Sequence, residues 1–294
     1  MARFFLQVGY KGTRYSGSQI QENALTVQAE LEKALFVYFR VPVGLTGSSR
    51  TDAGVHALEN YYHFDLDTEA LGPQHAWRQA GGPERSLYNL NALLPPDIVT
   101  RGIYPVADDA HSRFQALSRE YHYYVYRFKD PFMDDRGYYF PYQMDAGLLG
   151  EVAALVLENN DFSSFSKRGG QNRTPLCQIL VSRWETNGTT WCYTVKANRF
   201  LRGMVRGLVG TMLQVGRGKL TVEGFKEVLR AADQGRADFS APGHGLFLAR
   251  VRYPEGLLTQ GDPNGISAQR IATTSQGTGP APEASVNGDD SYVE

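Results

Sequence analysis

Five stretches of this chain alternate apolar and polar side chains with a period of two, and four others repeat apolar residues at helical spacing. The fold must therefore mix strands with helices. Phe4, Leu6, Val8 and Tyr10 mark the first strand. Asn60–Leu66, with Tyr62, Phe64 and Leu66 on one face, Tyr121–Phe128, the alternation Trp191, Tyr193, Val195, Ala197, and Leu246–Tyr253 read as further strands. Val27, Leu31 and Leu35 predict a helix with Thr26 as its N-cap. Asp145 similarly caps a run carrying Leu148, Val152, Leu155 and Val156. Leu201, Val205, Leu208, Val209 and Met212 predict a third helix, and Phe225, Val228, Leu229 and Ala232 a fourth. No glycine-rich fingerprint follows the first strand and no phosphate-binding P-loop occurs, so α+β is expected rather than a nucleotide-binding α/β fold.

Within 294 residues there is room for one large domain or two small ones. Pro95-Pro96 and the loop to Pro105 place a boundary near residue 107, giving segments 1–107 and 108–256. From residue 257 to 294 the chain turns to Gly, Pro, Ser, Thr, Asn and Gln, and buries too little apolar surface to order itself. That tail carries Asp262, Glu283, Asp289, Asp290 and Glu294 against Arg270 alone. With a net charge of −1 for the whole chain, the remainder is mildly basic. The two cysteines, Cys177 and Cys192, form no C-x-x-C pair, which argues against a disulfide framework or a zinc cluster. No apolar run approaches a membrane span and the N-terminus lacks a signal-peptide pattern, so a reducing cytoplasm is expected.

Three segments can carry chemistry. In Gly47-Ser48-Ser49-Arg50-Thr51-Asp52-Ala53-Gly54-Val55-His56, small residues make a tight loop around one charged pair. Arg50 and Asp52 stand two apart and would point the same way in an extended segment. The same residues also suit an ordinary turn capped by Asp52. His111–Tyr123 mixes basic and aromatic residues ahead of a strand; Arg113 can neutralise phosphate and Tyr121 can stack on a base, or both can serve a sheet face. Along Lys196–Arg206, Arg199, Arg202 and Arg206 fall on one flank of the third helix's apolar stripe, where Arg206 could pair with a carboxylate such as Asp52. A carboxylate so paired stays ionised and nucleophilic. Asp52, His56 and His63 match no familiar metal-ligand spacing, so no metal is expected.

Ser49–Ala57 resembles G-R-T-D-A-G-V-H-A, the signature of the tRNA pseudouridine synthase A family. Further blocks of that family follow in order: Tyr10-Lys11-Gly12 with Tyr15–Gln19, Leu90–Ile98 around Asn91, His111-Ser112-Arg113-Phe114, Arg119–Tyr123, Asp161–Phe165, Arg173-Thr174-Pro175 and Met204–Gly210. Ser49 stands where Gly is usual, Lys11 where Asp is common, Ser18 in place of a Trp, and Ser112 in place of an Ala. The resemblance implies two ferredoxin-like, RRM-like halves that share a continuous, mainly antiparallel sheet flanked by helices, with a catalytic cleft between them. It implies a cofactor-independent isomerase making pseudouridine at tRNA positions 38, 39 and 40, working as a homodimer. Asp52 would be the essential nucleophile, attacking uracil or ribose. Tyr121 would pack on the uracil and Arg206 would pair with Asp52. Arg50, Arg113, Arg199, Arg202 and Asn91 would contact the RNA.

Overall fold

The computed structural model describes residues 1–78, 82–167, 169 and 174–258. Arg173 and the tail from residue 259 onward lie outside the described residues, so the expectations that fall on them are not addressed. The elements run in the order β1 (Ala2–Tyr10), α1 (Val27–Phe39), β2 (Thr46–Gly47), β3 (His56–Leu66), α2 (Gly82–Leu93), β4 (Ile98–Val106), β5 (Ser118–Tyr126), β6 (Tyr138–Tyr139), α3 (Ala146–Glu158), β7 (Ile179–Thr186), β8 (Thr190–Ala197), α4 (Met204–Gly216), α5 (Val222–Arg230) and β9 (Leu246–Arg252).

The strands form one sheet in the order β4-β1-β3-β9-β5-β8-β7, with β2 beside β3 and β6 beside β5. The long pairings are antiparallel. The two strand groups, one from the first 106 residues and one from residue 118 onward, meet where β3 runs parallel to β9. That junction is short, pairing His56 with Phe247 and Ala57 with Leu248. α2 packs on β4 and against α1, while α3 packs on β7 and against α4 and α5. The fold is thus α+β, a large and mostly antiparallel sheet flanked by helices. Among the described residues, no helix is long and apolar enough to cross a membrane.

The five alternating stretches lie in β1, β3, β5, β8 and β9, but the stretch to Pro105 expected as a loop is strand β4. β1 buries Phe5 as fully as Leu6 and Val8, and β3 buries Tyr61, Tyr62, His63 and Phe64 in succession. These central strands are covered on both faces, which removes the polar-out half of the period. Thr26 and Asp145 cap α1 and α3 as expected, accepting from Ala29 N and Leu148 N.

The third helix begins later than its apolar spacing suggests. α4 starts at Met204, after Gly203 in a left-handed conformation (φ 73°) that only glycine adopts without strain. Leu201 is buried but precedes the helix. Arg199 and Arg202 precede it too, so the expected flank of three arginines on one helix reduces to Arg206 alone. The last helix likewise ends before Ala232, which takes φ 51°. Leu257 and Leu258 pack against the core.

Phe5 is fully buried on β1. Phe5→Ala is expected to cost about 3–5 kcal/mol of stability, read as a lower urea midpoint with an unchanged denaturant slope.

Candidate functional site

The loop between β2 and β3 is held rigid from both sides. The Tyr10 hydroxyl and Thr51 Oγ1 are 2.8 Å apart. Thr51 N donates to Ser18 Oγ at 2.8 Å, and Ser18 N donates back to the Thr51 carbonyl at 3.0 Å. Asn60 Nδ2 donates to the Ser49 carbonyl at 3.1 Å, and Ser48 N to the Tyr61 carbonyl at 2.7 Å. Ser48, Ser49, Thr51 and Val55 are buried while Arg50 is exposed. The loop therefore presents its charged side chains and buries its backbone, with hydrogen-bonding partners for the groups withdrawn from water.

His56 extends this bracing across the β3–β9 junction. Gly12 N donates to its Nδ1 at 3.0 Å, which leaves the proton on Nε2 to be donated to the His244 carbonyl at 3.0 Å. The ring stacks on Phe247 with centroids 4.5 Å apart. Burial lowers the His56 pKa and favours the neutral form that this pair of bonds needs. Glycine is required at position 12, because a Cβ there would sit 2.0 Å from the Val55 carbonyl oxygen. Both His56 nitrogens are thus occupied by structural bonds. Among the described residues, no group of three or more His, Cys, Asp or Glu side chains could hold a metal.

Asp52 projects from this loop with its side chain 37% exposed. Arg206, in the first turn of α4, brings Nη1 to 3.7 Å from Asp52 Oδ2 and is itself fixed by Nε donating to the Ala241 carbonyl at 2.7 Å. The pair is long and partly solvated, so its Coulomb energy is modest, about 1 kcal/mol or less. Its effect is to orient a carboxylate that stays open to a ligand. Tyr121, on β5, is 8% exposed and meets Phe200 edge-on at 4.9 Å. Burial chiefly, with the nearby Tyr10 phenol and Asp52 charge adding to it, holds its phenol well above the usual range and so protonated; the neighbouring Arg119 and Ser49 oppose that shift.

Arg113 is half-buried and its pKa is drawn down by burial and then by Arg50 and Arg199. Arg113 therefore stands within electrostatic reach of guanidiniums from two other loops, an arrangement suited to a polyanion. Arg202 is exposed, and its carbonyl accepts from Lys167 N at 2.9 Å. Asn91 is placed differently from the rest. Its Oδ1 accepts from Thr100 N at 2.7 Å and Oγ1 at 2.9 Å, and its Nδ2 donates to the Thr100 carbonyl at 2.9 Å, so the amide clamps α2 to β4.

Reasoning from the sequence missed the residue that gathers these loops. Arg119, 9% exposed, donates from Nη2 to the Ser48 carbonyl at 3.3 Å and the Arg113 carbonyl at 2.7 Å. Its Nη1 donates to the carbonyls of Ala116 and Asn198, each at 3.2 Å. One buried guanidinium thus joins the Asp52 loop, the Arg113 loop and the turn before Arg199. A charged residue at an inward position of a strand pattern was the available signal. Asn60, polar and buried within β3, gave the same kind of signal.

Comparison with known proteins agrees with the ordered motifs. The model of a family described as tRNA pseudouridine synthase matches residues 153–254. A protein of Parabacteroides distasonis named tRNA pseudouridine synthase A is 44% identical over 259 residues, covering 88% of this chain and 98% of its own length. Proteins of the same name from Porphyromonas gingivalis and Bacteroides thetaiotaomicron are 46% and 43% identical; each alignment covers 88% of this chain, and 100% and 94% of the relative.

Arg119→Lys keeps the charge but cannot span four carbonyls with one ammonium. It is expected to lower stability by about 2–3 kcal/mol through unsatisfied buried carbonyls, measured by urea denaturation. His63, which accepts from Ser112 N through Nδ1, has a pKa lowered to about 4 from 6.5, chiefly by burial. The unfolded chain then binds the proton more readily, so stability is full above pH 6.5 and falls toward pH 4. The urea midpoint of the unaltered chain is expected to drop more steeply over that window than that of His63→Gln.

Proposed function

The chain belongs to the tRNA pseudouridine synthase A family, and on that premise we propose that it isomerises uridine to pseudouridine in the tRNA anticodon stem-loop, with Asp52 as the attacking carboxylate. The observation that carries the assignment of Asp52 is its setting: an ionisable group on a rigid loop, 3.7 Å from Arg206 and open to a ligand, beside the cluster of Arg50, Arg113 and Arg199. Substrate and product are isomers. The bond from C1′ to N1 breaks, the base turns, and C1′ bonds to C5; the proton on C5 leaves and N1 gains one. The reaction therefore consumes no redox equivalent and no nucleotide, and the residues present have three tasks: attack, orientation and charge neutralisation.

Asp52 forms the covalent link to the uracil ring or the ribose, and Arg206, 3.7 Å away, keeps the carboxylate aimed. Tyr121 supplies the ring on which the uracil packs. Its phenol stays protonated, so it can take the C5 proton only while passing its own onward. A base stacked in a helix hides C5 and N1, so the uridine must leave the stack to reach Asp52. Arg113 and Arg50 would hold the phosphates of that strand, with Arg199 and Arg202 extending the contact. A base-independent grip of this kind suits a target set of neighbouring uridines at tRNA positions 38, 39 and 40.

The finer architecture belongs to the same reading. The segments 1–107 and 108–256 would be two ferredoxin-like halves meeting at the parallel β3–β9 junction, with the cleft opening there. The working unit would be a homodimer in the cytoplasm.

The purified chain, incubated with an unmodified tRNA transcript without added metal or nucleotide, is expected to form pseudouridine at positions 38, 39 and 40, mapped site by site. Asp52→Asn is expected to bind the transcript nearly as well while losing about 10,000-fold or more in product formation. Pseudouridine made at a near-normal rate by Asp52→Asn would overturn the assignment of the nucleophile.

A further inference from the structure

Phe114 is 76% exposed, although it stands in the middle of a tightly fastened loop. Isolated exposed apolar side chains are common and mean nothing alone. The surroundings of this one set it apart. Gln115 N donates to the His111 carbonyl at 3.1 Å and His111 N to Gln115 Oε1 at 3.2 Å, closing a turn with Phe114 inside it. Arg113 N donates to His111 Nδ1 at 3.1 Å, Ser112 Oγ to the Thr46 carbonyl at 2.9 Å, and Arg119 to the Arg113 carbonyl at 2.7 Å. The loop is therefore rigid before any ligand arrives.

The phenyl ring is also supported from beneath. It lies against His111 with centroids 4.2 Å apart and planes 38° apart. His111 meets His63 at 4.5 Å, and His63 meets Phe5 in the core at 6.2 Å. This run of ring contacts reaches from the buried core to the surface and leaves Phe114 open to solvent at its outer end. The Arg113 guanidinium is 6.0 Å from the Phe114 centroid, and Arg113 in turn neighbours Arg50 and Arg199. A fixed aromatic face beside clustered guanidiniums is the combination that single-stranded nucleic acid occupies, with bases on the ring and phosphates on the cations. Fixing the ring in advance removes the ordering cost of binding.

We propose that Phe114 is a stacking platform for an unpaired nucleobase of the RNA substrate, one next to the uridine delivered to Asp52. The inference rests on the tRNA reading above and adds a contact to it. When a uridine leaves its stack, its neighbour loses a stacking partner, and Phe114 supplies a replacement surface while Arg113 holds the adjoining phosphate. The interaction is independent of base identity, because every base offers a π face.

The test measures binding of an unmodified tRNA transcript by the full-length chain across a series of salt concentrations. Phe114→Ala is expected to weaken binding about tenfold at every salt concentration, with the slope of log Kd against log salt unchanged, since stacking releases no counterion. Phe114→Trp is expected to bind within about twofold of the unaltered chain, and Phe114→Leu to resemble Phe114→Ala. Arg113→Gln, by contrast, should lower the salt slope by about one. Affinity unchanged in Phe114→Ala, or full rescue by Phe114→Leu, would overturn the platform and leave the tRNA reading standing. An unaltered chain that neither binds nor modifies the transcript would overturn the tRNA reading and this inference with it.

Discussion

Arg119 concentrates in one guanidinium a problem that the whole site has to solve. Three loops far apart in sequence must meet, and each brings backbone carbonyls that burial would otherwise leave without partners. The guanidinium answers with four hydrogen bonds, to Ser48, Arg113, Ala116 and Asn198. Its planar fork can address several acceptors at once, which a lysine in the same place could not. The positions of Asp52, Arg113 and Arg199 follow from that junction, because each lies within four residues of a carbonyl that Arg119 holds.

The site also depends on where the two strand groups join. The parallel contact of β3 with β9 is only two residue pairs long and starts at His56, immediately after the Asp52 loop. A short parallel junction is weak by itself. His56 reinforces it by bonding to Gly12 on one side and His244 on the other while its ring stacks on Phe247. The same neighbourhood supplies the Ala241 carbonyl that fixes Arg206 and the Pro242 carbonyl that accepts from the Tyr123 hydroxyl at 2.8 Å. The carboxylate thus sits at a seam whose alignment is maintained by side chains from both strand groups.

Charge is divided by depth. The buried histidines His56 and His63 are held neutral and Tyr121 is held protonated. Arg119 is charged and buried, and donates four hydrogen bonds to backbone carbonyls. The groups left to meet a ligand are Asp52 and the surface arginines, and the Phe114 ring stands beside them. This division lets a chain with a net charge of −1 carry a local concentration of guanidinium charge.

The sequence alone determined the elements whose signals are local: the alternating strands, the capped helices at Thr26 and Asp145, and the tight loop around Arg50 and Asp52. Side-chain period and capping chemistry act within a few residues, so a linear reading captures them. The ordered motifs also marked Asp52, Tyr121 and Arg206 as a set, and the fold brings Arg206 to Asp52 across 154 residues. Tertiary structure decided the rest. The start of α4 at Met204 depended on a left-handed Gly203, which split the expected arginine flank. Asn91 was drawn into clamping Thr100, and Arg119 and His56 found carbonyl partners 71 and 188 residues away. A backbone carbonyl has the same chemistry at every position, so nothing in the linear sequence marks which one a distant side chain will meet.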